Sequence, residues 1–231
     1  MDNASAHPPV GECDIAILGA GPTGLALALA LRDGPWSVAL FDAAPATSAA
    51  GAAADPRALA LSAGSRQLLK RIDAWPDATA IRNIDISQAG GRTSTGLYAE
   101  SLGLDALGYV AAYGDLLTTL RRRADAEGIT IAAGHRALAV DAHGDRGLIR
   151  FEHGTTVSAR VVVHAEGTQH EDNWRLDYEQ CAIVCNATPT LPHHHLAYER
   201  FTADGPLALL PLAANYAVVR VVPAARRAEL L

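Results

Sequence analysis

The chain has 231 residues, 49% of them hydrophobic and 19% charged, which suits a globular protein of one or two domains with enough length for a sizeable core. A net charge of −6 and a pI near 5.8 argue against nucleic acid as the main partner. No segment approaches the ~20 apolar residues of a membrane-spanning helix, and three cysteines with neither zinc spacing nor a disulfide framework point to a reducing, cytoplasmic setting.

Met1 to Gly11 is polar and proline-bearing and reads as a loose tail. The stretch from Asp14 to Asp42, DIAILGAGPTGLALALALRDGPWSVALFD, organises the rest of the chain. Ile15 to Leu18 form a buried strand, Leu25 to Leu31 an apolar helix, and Ser37 to Phe41 a second strand ending in Asp42. Between the first strand and the helix lie Gly19, Ala20, Gly21, Pro22, Thr23 and Gly24, with the glycines in G-x-G-x-x-G spacing. Gly19 serves the tight turn, Gly21 lets a pyrophosphate approach the backbone, and Gly24 lets the helix pack close to the sheet. The unpaired N–H groups and the positive dipole end of that helix favour an anion. Asp42 falls at the spacing from which a carboxylate accepts hydrogen bonds from a ribose. The apolar helix is no secretory signal, because an apolar strand and a glycine loop precede it with no basic region.

Ala43 to Ala54 reads as a loop, followed by Asp55-Pro56-Arg57 and a helix over Ala58 to Ile72 that ends at Trp75-Pro76. Ile81 to Ser87 alternates as a half-buried strand, Gly90-Gly91 marks a turn, and Arg92 to Ala99 returns. Asp115 to Ala126 is a helix with Leu116, Leu117 and Leu120 inward and Gly128 as its stop. Strands follow at Ile129–Ile131, Ala137–Ala142, Leu148–Glu152 and Val157–His164, with Val161-Val162-Val163 apolar enough for burial on both sides. Four more are expected at Cys181–Asn186, Leu196–Thr202, Leu207–Leu212 and Ala217–Val222, and Arg226 to Leu231 begins a helix. Cys181 and Cys185 share one side of their strand and read as buried, inert thiols. His193-His194-His195 reads as a solvated loop, since three adjacent side chains cannot all reach one metal ion. One βαβ unit thus opens the chain and antiparallel strands dominate afterwards, whereas a nicotinamide dehydrogenase would continue alternating strand and helix.

The glycine fingerprint resembles that of the class A flavoprotein monooxygenases, the aromatic hydroxylases that use FAD and a nicotinamide donor. Three further stretches carry a closer resemblance: DPRALALSAGSRQLLKRIDAWP (Asp55 to Pro76), DYEQCAIVCNA (Asp177 to Ala187) and YERFTADGPLALLPL (Tyr198 to Leu212). They look like the ubiquinone-biosynthesis hydroxylases of the 2-octaprenyl-6-methoxyphenol hydroxylase type, over most of Asp14 to Leu231.

The resemblance implies an α/β fold, a Rossmann-like FAD-binding domain interleaved with an antiparallel β-sheet substrate domain. The FAD part would take 14–76 and 114–168, and the substrate part 77–113 and 169–231. It implies that the loop from Gly19 to Gly24 cradles the FAD pyrophosphate, that Asp42 binds ribose, and that Arg57 approaches the flavin side. Ala165-Glu166-Gly167-Thr168 matches the second FAD element, with glutamate where the family has aspartate; Tyr113 stands where the family commonly has arginine, glutamine or asparagine. The implied reaction is hydroxylation of a lipophilic, prenylated phenol with NAD(P)H and O2, and no side chain stands out as its acid or base. Implied partners are other ubiquinone-biosynthesis proteins or the inner face of a membrane. The family's third FAD element, a Gly-Asp, would lie beyond Leu231; a truncated remnant or half-protein that keeps the fold and a partner surface but does not turn over is therefore the rival expectation, and an oligomer is expected with it.

Overall fold

The computed structural model describes residues 11–45, 55, 57–167 and 176–230. The tail before Gly11 and most of the loop after Ala43 lie outside them. The chain divides into two compact units, and the second interrupts the first in sequence: 1–52, 72–74 and 117–173 form one, 53–71, 75–116 and 174–231 the other. Residues 53–71, expected with the FAD part, cluster with the second unit.

The first unit is built on a six-stranded sheet. β1 (Glu12–Leu18) runs into helix α1 (Pro22–Leu31) and back through β2 (Val38–Asp42), which pairs parallel to β1. Pro22 opens the helix, where its fixed φ fits and its missing N–H costs nothing. Leu25, Ala28 and Leu29 are buried, and the small alanines between the leucines let the helix lie close to the sheet. β8 (Ile131–Ala133) adds parallel to β2, and β11 (Thr156–His164) adds parallel to the other side of β1. β9 (Ala137–His143) and β10 (Arg146–Phe151) complete the sheet as an antiparallel meander with β11, in the order β8-β2-β1-β11-β10-β9.

One face of this sheet holds a core of Ala16, Leu18, Phe41, Ile149, Phe151 and Ala159. The Phe41 and Phe151 rings sit 4.8 Å apart, tilted. Val162 packs against that core, but Val161 is 52% exposed among the described residues, so the triple-valine run is not buried on both sides.

The second unit holds a six-stranded, mostly antiparallel sheet and a small three-stranded one. The small sheet joins β3 (Ala58–Leu61), β7 (Gly108–Ala112) and β4 (Thr79–Ile81). β3 corrects the helix expected from Ala58. The Ser62 Oγ accepts the Ser65 N–H at 3.1 Å and starts helix α2 (Ala63–Arg71) only there, which leaves Ala58–Leu61 to pair with β7. The large sheet runs β12 (Gln180–Ala187), β15 (Asn215–Pro223), β14 (Gly205–Leu212), β13 (Leu196–Thr202), β5 (Asn83–Gln88), β6 (Ser94–Tyr98). β5 and β4 divide at Arg82 the single strand expected over Ile81–Ser87.

Cys181 is half-buried and Cys185 exposed, because β12 is an edge strand; the expectation of buried thiols fails there. Helix α3 (Tyr113–Ala126) buries Leu116, Leu117 and Leu120 as its periodicity requires. It stops where the Ile129 N–H reaches the Ala124 carbonyl at 2.9 Å and Gly128 takes a φ of 69°. A short helix α4 (Arg227–Leu230) follows β15. No described helix is long and apolar enough to cross a membrane.

Phe151→Ala removes a ring that is 2% exposed and should cost about 3–5 kcal/mol in urea unfolding. Leu138→Ala, at a position 64% exposed on β9, should stay within about 0.5 kcal/mol.

Candidate functional site

The loops that leave β1, β2 and β11 meet at the carboxyl ends of three parallel strands. From β1 the chain crosses to β2 on one side, while β11 lies on the other, so this is a topological switch point, where open α/β sheets bind ligands. Hydrogen bonds bring the loops together: the Gly19 N–H donates to the Phe41 carbonyl at 2.7 Å, and the Ala165 N–H to the Leu18 carbonyl at 2.7 Å.

The three glycines are required for different reasons. Gly19 has a φ of 105°, and a Cβ there would stand 2.5 Å from the Ala165 carbonyl oxygen. A Cβ on Gly24 would overlap the Gly19 carbonyl oxygen, so the helix reaches its seat only without one. Gly21 has an ordinary φ of −74°, and a Cβ there would meet no protein atom within 4 Å. Among the described residues nothing forbids a side chain at Gly21; the open space is what a pyrophosphate resting on the backbone requires. The first turn of α1 carries no acidic residue, Gly21 gives it no side-chain cap, and the Thr23 and Gly24 N–H groups belong to its unpaired start.

Asp42 closes the cradle. Its Oδ2 accepts the Ala20 N–H at 2.6 Å and its Oδ1 accepts the Ala44 N–H at 2.7 Å. The carboxylate therefore ties the glycine loop to the end of β2, and each oxygen keeps a lone pair for a ribose hydroxyl. Across β1, Gly167 has a φ of 70° and the Glu166 Oε2 lies 3.0 Å from the His164 Nδ1. The sequence placed these residues together; it did not foresee that Asp42 grips the loop, although a 22-residue separation between Ala20 and Asp42 was a usable signal.

Arg57 lies in the second unit. Its Nε and Nη2 donate to the Asp55 carboxylate at 2.9 and 2.6 Å, and its guanidinium stands 4.4 Å from the centre of the Tyr113 ring. The Tyr113 N–H also donates to the Arg57 carbonyl at 2.9 Å. The Arg57 hydrogen bonds hold the Asp55 carboxyl below the usual carboxylate range, and the same contact raises Arg57. Both groups are at least partly exposed, so the pair orients Arg57 more than it stabilises the fold.

The histidine triplet is structural and only partly solvated. The His195 N–H donates to the His193 Nδ1 at 3.0 Å, which leaves the His193 Nε2 proton for the Ala213 carbonyl at 2.7 Å. Among the described residues no group of three or more potential metal ligands occurs.

Residues 12–175, well over half the chain, match the family described as FAD binding domain. The chain belongs to that family, and its cofactor is FAD. It is 27% identical to ubiquinone hydroxylase UbiM of Neisseria meningitidis, over 86% of this chain and 47% of the relative. It is 28% identical to 3-demethoxyubiquinol 3-hydroxylase of Escherichia coli, over 88% of this chain and 56% of the relative. The match to ubiquinone hydroxylase UbiL of Rhodospirillum rubrum is 30% over 87% and 50%. The chain thus spans about half the length of the curated relatives it matches.

Among solved structures, PqsL of Pseudomonas aeruginosa, a probable FAD-dependent monooxygenase, superposes with a TM-score of 0.74 at 18% identity, covering 95% of this chain and 63% of that one. p-Nitrophenol 4-monooxygenase PnpA of Pseudomonas putida gives 0.74 at 15% identity, over 96% and 61%. These likenesses bear out the expected fold, a Rossmann-like FAD-binding domain interleaved with an antiparallel sheet.

Gly21→Val should fold with an unchanged melting temperature, because its Cβ has room, yet lose FAD; stoichiometric flavin in the purified variant would remove the loop from the site. Asp42→Ala should weaken FAD binding by about ten- to a hundredfold, as expected for a hydrogen bond to a charged group, in a fluorescence titration of apoprotein.

Proposed function

We propose that the chain forms the FAD-binding and substrate-binding portions of a monooxygenase that hydroxylates a lipophilic, prenylated phenol in ubiquinone biosynthesis. The observation that carries this reading is the empty space above Gly21 beside the carboxylate of Asp42, at the switch point of a sheet whose family binds FAD. In this reading the backbone from Gly19 to Gly24, including the N–H groups of Thr23 and Gly24, holds the pyrophosphate. Asp42 accepts the ribose hydroxyls, and Glu166 and Gly167 border the cofactor from the loop after β11. Arg57, fixed by Asp55 and Tyr113, offers its remaining N–H groups to the cofactor.

When bound, FAD supplies the electron transfer from NAD(P)H and the activation of O2. The chain's part is to bind, orient and keep water from the reacting groups. The FAD portion is assigned to 14–76 and 114–168 and the substrate portion to 77–113 and 169–231. The names of the relatives support a ubiquinone precursor as substrate, and a lipophilic substrate favours work at the inner face of a membrane or beside other ubiquinone-biosynthesis proteins.

The test is purification followed by assay with NADH or NADPH, O2 and a short-chain prenylated phenol. The expected outcome is a yellow protein whose nicotinamide oxidation depends on oxygen, rises with the phenol and yields hydroxylated product. A yellow protein without product would instead support a chain that keeps the fold and does not turn over, and a protein that takes up no flavin would overturn the reading altogether.

A further inference from the structure

The stretch Tyr198-Glu199-Arg200-Phe201 has no place in the FAD cradle. On β13, strand alternation puts Glu199 on one face of the large sheet and Tyr198 and Arg200 on the other. Arg200, the adjacent cation, donates from Nη1 to the Ser87 Oγ at 3.3 Å on that other face. It is thus turned away from Glu199.

The register then defines a row across all six strands. Val184 opposes Val219, Val219 opposes Ala208, Ala208 opposes Glu199, Glu199 opposes Ile86, and Ile86 opposes Thr95. Directly opposed residues share a face, so Glu199 is the single ionisable group in a row that is otherwise apolar except for its terminal threonine. The next row on this face, where Ala197 opposes Ile84, is closed by Ile81 and Val110. At Glu199 the surface opens: Val184 is 39% exposed, and Phe201, two residues along the same face, is 51% exposed.

Among the described residues the Glu199 side chain makes no hydrogen bond and no ion pair. Burial pushes its carboxyl above the usual range, and no neighbouring cation offsets this. A half-buried carboxylate without a partner destabilises the fold it sits in.

We infer that Glu199 binds the hydroxyl of the phenolic substrate: its carboxylate accepts the phenol O–H, and the apolar row with Phe201 takes the ring and its hydrocarbon tail. This rests on the hydroxylase reading above and gives it a specificity residue. The match is chemical. A prenylated phenol carries one strong donor on an apolar body, and this row offers one carboxylate among aliphatic side chains, with Phe201 beside it and Gln88 opposite Phe201.

The experiment compares a short-chain prenylated phenol with its O-methyl ether, which keeps the shape and lacks the donor. Binding is measured by calorimetry to the purified chain. The unsubstituted protein should bind the phenol about ten- to a hundredfold more tightly than the ether, the effect of one hydrogen bond to a charged acceptor. Glu199→Leu should bind both alike and melt at a higher temperature, since it removes an unpaired carboxylate from an apolar row. Glu199→Gln, which keeps a carbonyl acceptor, should retain part of the preference. A folded Glu199→Leu that still discriminates, or an unsubstituted protein that binds both alike or neither, overturns the inference. Failure of the functional reading shows separately, as absence of flavin or of hydroxylated product in the unsubstituted protein.

Discussion

The site depends on one close approach of backbone to backbone. Helix α1 must begin almost on top of the carbonyl of Gly19, and the turn at Gly19 must lie against Ala165. Two missing side chains, at Gly24 and Gly19, permit this. The consequence is geometric: the start of α1, the end of β2 and the loop after β11 converge on one spot. Any Cβ at Gly24 would push the helix away from the sheet and move its unpaired N–H groups off that spot. Gly21 differs in kind, since no described residue fills its space. Two of the three glycines of the motif therefore build the cradle and the third leaves it vacant.

Asp42 works on the same construction from the other side. A carboxylate is an unwelcome neighbour for a pyrophosphate, because like charges repel. Here both of its oxygens accept backbone N–H groups at 2.6 and 2.7 Å, which draws its charge toward the loop and fixes the loop in turn. The same side chain can then serve a neutral ribose hydroxyl. In the proposed site, phosphate and ribose would thus fall to different parts of one strand–turn–helix–strand unit.

The first unit was legible in the sequence because its rules are local. Glycine spacing, an apolar run of helical length and an acid at the end of a strand all lie within Asp14 to Asp42, and each was read there. The elements that escaped were those decided by distant partners. Ala58–Leu61 has the composition of a helix, and only its pairing with Gly108–Ala112, some fifty residues away, makes it a strand. The strand Gly108–Ala112 itself was not read, because a short apolar stretch flanked by glycine carries no period. Cys185 looked buried by composition; its exposure follows from the edge position of β12, which strand order alone determines. Glu199 was visible as part of a motif, but its isolation was not, because that depends on the register of five neighbouring strands.

The two units also differ in how they present polar groups. A dinucleotide brings charge and must be met by dipoles, and the first unit supplies them from main-chain N–H groups at strand ends and a helix start. With a net charge of −6, the chain attracts such an anion through local dipoles and not through its overall field. The second unit instead carries a wide, mostly antiparallel sheet whose alternation separates a more polar face from a more apolar one. On the polar face, Arg200 is matched by Ser87, and Arg220 lies 4.0 Å from Asp204. On the apolar face, the carboxylate of Glu199 has no partner among the described residues. Among the described residues two carboxylates on this sheet's strands, Asp85 on one face and Glu199 on the other, have no side-chain partner, and it is Glu199 that burial holds above its usual range.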